Sequence, residues 1–145
     1  MDTSKASLDA FNQPIIEEFR ANNGVVGGPF EGATLLLLTT TGAKSGEPRL
    51  SPLVYLTIDD RMFIVGSKAG ADTNPAWVHN LRANPRAHIE VGAAAGIKAH
   101  DVVARELSAE EREAAYPKIV EQAPVFADYQ ANTSRIIPVF ELTPA

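Results

Sequence analysis

The sequence predicts a strand-rich α+β chain whose strands close as an antiparallel sheet or a small barrel. Two observations carry that expectation. About six short segments have strand character, and consecutive ones are joined by tight turns rather than by crossover helices. Helical patterns are confined to the start, the middle and the stretch before the last strand. No internal repeat or linker divides the 145 residues, so one domain spanning 1–145 is expected.

The first element is a helix over 7–21, where Leu8, Phe11, Ile15 and Phe19 recur at helical spacing. Its apolar stripe is expected to pack on the domain; contact with a membrane surface is the alternative, with Lys5 and Arg20 to meet anionic lipid. Pro14 is expected to kink or divide it. After the glycine-rich loop NNGVVGGPFEGA, the run ATLLLLTTT from residue 33 suits a buried strand. RLSPLVYLTI at 49–58 reads as a second strand, in which Pro52 marks an edge or bulge. Asp59-Asp60 is the tip of a hairpin rather than a pair of catalytic carboxylates, and RMFIVGS returns as a third strand.

Asn74-Pro75 is expected to cap and open a middle helix, and Asn84-Pro85 to stop it. Strands follow over 87–91 and 97–107. Ser108 to Glu111 is a capping box opening a helix that Pro117 should kink or end, then a helical piece over 125–133 leads to the closing strand IIPVFEL.

Composition excludes several classes of function. Hydrophobic residues are 45% and charged ones 21%, as in ordinary globular proteins. No apolar run reaches the roughly 18 residues of a membrane span, and the N-terminus lacks a secretory pattern. Cysteine is absent, which removes disulfides and thiolate metal sites and fits a cytoplasmic protein. A net charge of −5 argues against nucleic acid as a general partner, although it leaves room for a local basic pocket.

Such a pocket is suggested by TTTGAKSGEPR at 39–49. A nucleotide phosphate loop requires lysine directly after glycine, yet Lys44 follows Ala43 and a strand rather than a helix comes next. His79, His88 and His100 lack the spacing of a metal site, and no serine sits in a hydrolase elbow. What remains is a set of cations and hydroxyls near strand ends: Lys44, Ser45, Arg49, Ser67 and Lys68. If strands one to three are neighbours, Lys44, Arg49 and Lys68 could converge on one anion. The alternative is three solvated charges. Trp77 either packs in the core or shields a flat ring, and Tyr129 is either a half-buried packing residue or a functional hydroxyl.

Taken in order, LLLLTTTGAKSGEPRLSPLVY, FIVGSKAGADTNPAWVHNLRANP and ADYQANTSRIIPVFEL resemble the deazaflavin-dependent nitroreductase family, from about residue 33 to the C-terminus. That resemblance implies a split β-barrel like that of the pyridoxamine-phosphate oxidases and the cofactor F420, an 8-hydroxy-5-deazaflavin. It places the cofactor's phosphate and polyglutamate tail on Lys44, Ser45 and Arg49. It places the ring against Ser51, Pro52, Leu53, Val54 and Tyr55, flanked by Val65, Gly66, Ser67 and Lys68. Ala76, Trp77, Val78, His79 and Asn80 would pack near the cofactor, and Tyr129 would face the substrate.

Ser67 is expected to hydrogen-bond near the ring and Tyr129 to orient the acceptor. The implied activity is hydride transfer from reduced F420 to a small electrophile: a quinone, an enone or other activated alkene, or a nitroaromatic. Ala43 stands where arginine is frequent, Val78 where an aromatic is common, and Phe126 where some members that reduce nitro-drugs carry tyrosine. These departures weigh against nitro-drug activation and make a quinone, an enone or another activated alkene at least as good an acceptor. An FMN- or haem-binding split barrel, or a non-catalytic carrier of deazaflavin or lipid, is the rival reading. Monomer and homodimer are both compatible with the sequence.

Overall fold

The computed structural model describes residues 5–25, 34–92 and 96–145, with the side chains of 5–11 and of residue 69 outside that description. Helix α1 spans Lys5–Ala21, and strands β1 to β3 span Leu35–Thr41, Pro48–Ile58 and Arg61–Val65. A single 3₁₀ turn at Lys68–Gly70 precedes α2 (Ala76–Ala83). Strands β4 (Arg86–Val91) and β5 (Lys98–Glu106) lead to α3 (Ala109–Gln122), α4 (Val125–Ala131) and β6 (Val139–Pro144). The six strands form a closed antiparallel barrel in the order β1-β2-β3-β6-β5-β4, a split β-barrel as the resemblance implies.

Strand alternation divides the apolar residues into an inside and an outside set. Leu36, Leu38, Ile64, Ile89, Val102, Phe140 and Leu142 fill the interior, with Trp77, Val78 and Leu81 of α2 packed into the same cluster. Outside, Leu35 and Leu37 pack on Ile15, Ile16 and Phe19 of α1, while Leu56, Phe63, Val65 and Val139 pack under α3 and α4. LLLL is therefore apolar throughout because both faces of β1 are covered. The Ile15–Phe19 half of the α1 stripe lies on the barrel; full burial of a side chain such as Phe19 contributes about 2–3 kcal/mol. Leu8 and Phe11 have side chains outside the described residues. Arg20 ties the end of the helix to Glu90 at 2.8 Å.

Several expectations need correction. Pro14 does not divide α1 and Pro117 does not end α3. Beyond Pro117, fully buried Ile119 and the Gln122 amide, donating to Thr57 O at 2.9 Å, hold the last turns in place. The N-cap of α2 is Pro75 rather than Asn74, whose Oδ1 instead accepts from Arg135 Nη1 at 2.8 Å. The closing strand begins at Val139, and β1 begins at Leu35, with Ala33 and the loop 26–33 outside the described residues. The capping box at Ser108 and Glu111 is present, as is the hairpin tip. Asp59 and Asp60 have φ of 53° and 63°, the double left-handed geometry of a type I′ turn, which short polar residues tolerate.

Pro52 sits at an edge in a specific sense. β2 pairs with β1 from Pro48 to Val54 and with β3 only from Tyr55 to Ile58. Tyr55 N donates to Thr34 O, so alternation turns the Pro52 nitrogen away from β1, toward the side where β3 has already ended. The missing N–H costs nothing there.

Candidate active site

Because β1 and β3 are both antiparallel to β2, the turn after β1 and the turn after β3 leave the barrel at the same end. The segment leading into β6 is there too, since Val65 pairs with Val139. Helix α2 caps this end and carries both turns. Its Asn80 is buried, donating Nδ2 to Thr40 Oγ1 at 3.0 Å and accepting Ala43 N at 2.9 Å. Two residues earlier, Val78 packs so tightly against Gly66 that a Cβ there would lie 2.8 Å from Val78 Cγ2. The helix rises about 1.5 Å per residue, so one helical turn fastens the Lys44 loop and the Ser67 turn together.

Within the first turn, Gly42 N donates to Glu47 O and Gly46 N to Gly42 O, closing a compact loop. Ser45 Oγ accepts from Glu47 N at 3.2 Å and from Arg49 Nη2 at 3.5 Å. Among the described residues Arg49 forms one ion pair, with Glu47 at 3.9 Å, too long for a strong charge-assisted bond. Lys44 is exposed. Arg49 pairs in the β1–β2 ladder with Thr40, the residue that holds Asn80.

The second turn is tighter. Ser67 is buried at 8% exposure, and Lys68 has a left-handed φ of 46°, with Nζ 3.4 Å from Thr73 Oγ1. Gly70, at φ 82°, lets α4 approach: a Cβ there would meet Tyr129 O at 3.0 Å. Tyr129 is thereby brought beside the Ser67 turn. It is half-buried, with its ring edge-on to Phe126 at 5.7 Å. Along the open edge of β2, Ser51, Leu53 and Val54 are partly exposed, as is Tyr55 where pairing with β3 begins, whereas Pro52 is buried like the β1 residues beside it. Leu53 and Tyr55 face the barrel cluster, and Val54 lies between the α1 and the α3–α4 clusters.

Not every expected residue presents itself to a ligand. Trp77 is 5% exposed and packs edge-on to Phe140 at 5.8 Å; Val78 is fully buried, and Val65 belongs to the cluster under α3 and α4. Asn80 spends its amide on Thr40 and Ala43. These residues build the platform beneath the site. Ala76 and His79 lie on the exposed side of α2. Among the described residues no cluster of metal-ligating side chains occurs. His88 pairs with Asp101 across β4 and β5 at 2.9 Å.

Sequence reasoning missed Arg135, Arg112 and Gln130. Arg135 donates to Ala71 O, Asn74 Oδ1, Gly66 O and Ser67 O over 2.7–3.1 Å. Burial pushes its guanidinium below the ordinary value, with Asp72 and Tyr116 acting in the opposite sense. Arg112 donates to Ile137 O and Gln130 Oε1 and stacks 4.3 Å above the Tyr116 ring. Burial lowers it also, and raises the Tyr116 phenol, whose OH donates to Phe126 O. The partners of these arginines are mostly carbonyls, which no sequence pattern announces.

The donor set matches an anionic ligand with a flat apolar part: loosely partnered cations on one turn, a buried hydroxyl on the next, and a half-exposed strand edge between them. A sequence model of the F420H(2)-dependent quinone reductase family matches residues 14–144. An F420H(2)-dependent quinone reductase of Mycobacterium tuberculosis is 40% identical over 129 residues, which is 86% of this chain and 84% of that protein. The solved structure of an F420-H2 dependent reductase shares 40% identity and a TM-score of 0.64, covering 76% of this chain and 94% of the other. A second solved structure, a domain-swapped dimer, is 35% identical with a TM-score of 0.66, covering 97% of this chain and 100% of that one. The chain belongs to the F420H(2)-dependent quinone reductase family, and is an oxidoreductase that draws its reducing equivalents from F420H2.

Proposed function

We propose that the turns capped by α2 form the F420 site and that a quinone is the acceptor. The observation that carries this reading is the joint anchoring of the Lys44 loop and the Ser67 turn on one helical turn of α2. Lys44, Ser45 and Arg49 hold the anionic tail, for which the weak existing partners of Arg49 leave its fork available. Ser51, Leu53, Val54 and Tyr55, partly exposed around buried Pro52, offer the ring a strand edge, and Ser67 and Lys68, with Gly66 buried behind them, close its other side. Trp77, Val78, Asn80 and Val65 support this arrangement from beneath, while Ala76 and His79 border it.

When bound, F420H2 supplies a hydride. The chain's own contribution is to fix the geometry and to stabilise the charge that reaches the acceptor. Ser67, whose backbone is clamped on both sides, presents a hydroxyl to the ring. Tyr129, held against Gly70, donates its phenolic O–H to the acceptor oxygen as negative charge develops there. The quinone preference is supported by the family and by the relative named above, and Phe126 supplies an apolar wall beside Tyr129. A homodimer is the assembly we propose, supported by the 35% identical domain-swapped dimer; its mass in solution tests it.

Oxidation of F420H2 against a panel of quinones, enones and nitroaromatics tests the reading, alongside binding of F420, FMN and haem. Turnover greatest with quinones and tight binding of F420 alone is the expected outcome. Preferential FMN or haem binding would reject the site assignment, and F420 binding with no turnover would favour a carrier.

A further inference from the structure

Arg135 makes contacts that a surface arginine before a strand does not need. Four of its five N–H groups are used: Nε on Ala71 O at 2.7 Å, Nη1 on Asn74 Oδ1 at 2.8 Å, and Nη2 on Gly66 O at 3.1 Å and Ser67 O at 2.8 Å. Among the described residues it forms no ion pair. The segment 66–74 therefore wraps its carbonyls around one cation. That segment carries Lys68 at a φ of 46°, a conformation disfavoured for a non-glycine residue, so some outside group must hold it.

The arginine is itself fixed from the other side. Its carbonyl accepts Gln130 Nε2 at 2.7 Å, and Gln130 Oε1 accepts Arg112 Nη2 at 2.6 Å and Ile137 N at 3.0 Å. Gln130 is the neighbour of Tyr129 on α4. Thr133 Oγ1 adds a second link, donating to Asp72 Oδ1 at 2.9 Å. The chain of bonds thus runs from Ser67 through Arg135 and Gln130 to the helix that carries Tyr129.

We infer that Arg135 is a positioning residue that sets the separation of the Ser67 turn from Tyr129 by clamping the carbonyls of Gly66, Ser67 and Ala71. This rests on the assignment of Ser67 and Tyr129 made above. Arg135 touches neither cofactor nor acceptor; it acts through the turn. Lysine keeps the charge but, as a point donor, cannot span four acceptors.

The test compares Arg135→Lys, Asn74→Ala as a milder cut in the same network, Ser67→Ala, and the Arg135→Lys/Ser67→Ala double variant. Quinone turnover, F420 titration by fluorescence, thermal midpoint and amide exchange of the cofactor-free protein are measured on each. Arg135→Lys is expected to lower kcat about tenfold or more with KM for the quinone changed less than about threefold, since misplacement by even an ångström has such effects. The amides of 66–74 should exchange faster without cofactor, and the emission of bound F420 should shift. Asn74→Ala should do the same to a smaller degree, and serves if Arg135→Lys fails to fold. Because both act on one turn, Arg135→Lys should add less than about twofold to the loss in Ser67→Ala.

Wild-type exchange and kcat in Arg135→Lys, or full additivity with Ser67→Ala, would overturn the inference. A loosened turn in Arg135→Lys combined with normal turnover in Ser67→Ala would instead overturn the role given to Ser67, and with it the route by which Arg135 acts.

Discussion

The two halves of β2 differ in what covers them. From Tyr55 to Ile58 the strand pairs with β3, and Leu56 packs with Phe63 beneath α3 and α4. From Pro48 to Val54 it pairs with β1 alone, and most of its residues stay partly exposed. The charges follow the same division. Behind the covered half, Glu141 receives Arg61 at 2.8 Å and Arg105 at 2.9 Å, close charge-assisted pairs. Beside the open half, Arg49 has, among the described residues, only a hydroxyl at 3.5 Å and a carboxylate at 3.9 Å. A barrel that stops pairing halfway along one strand leaves an edge open without giving up its core.

That division can be broken experimentally. Phe63→Ala removes a fully buried ring from the covered half and should cost about 3–5 kcal/mol in denaturant unfolding, as large-to-small core changes do. F420 affinity of the folded protein should stay within about twofold; a loss as great as that of a cation variant would show that the halves are not separable. Asn80→Ala lies between the two. It strands the Ala43 N–H and frees the Lys44 loop, so about 1–3 kcal/mol of stability and a weaker F420 titration should be lost together. Tyr129→Phe should leave stability and F420 affinity alone and lower kcat about tenfold or more, the contribution of one well-placed hydroxyl. Loss of affinity without loss of kcat would remove its acceptor role.

The smallest effect is on acid stability. Arg61 first, then Arg105, holds the Glu141 carboxyl at about 2, below its ordinary 4.5, and Arg105 with the Ser108 backbone does the same for Glu111. A depressed carboxyl stabilises the fold above the unfolded value and loses that contribution as pH falls toward about 2. Glu141→Gln should therefore flatten the fall in thermal midpoint between pH 4.5 and 2, and leave quinone turnover at neutral pH unchanged. An undiminished acid slope would show that the pair contributes nothing to the seam.

How far these features could be read from sequence depends on range. Alternation and turn chemistry are local, so the strands, the Asp59-Asp60 hairpin and the Ser108 cap were legible. Pro117 misleads because local propensity predicts a break, whereas burial of Ile119 carries α3 past it. The Lys44 and Ser67 turns were legible as motifs, but their union required α2, whose Asn80 and Val78 read as neighbours of the cofactor until their partners were visible. Arg135 was not legible at all. Its meaning lies in carbonyls some 60 residues away, and every residue has a carbonyl.

In the proposed site, the open half of β2 and its turn grip an anion with Lys44 and Arg49. Titration of F420 into wild type and the Lys44→Ala/Arg49→Ala variant, at low and at high salt, tests it most directly. Two charge-assisted contacts predict affinity about 100-fold weaker at low salt, and a shallower salt dependence than wild type. Wild-type affinity in the variant at low salt would contradict the account.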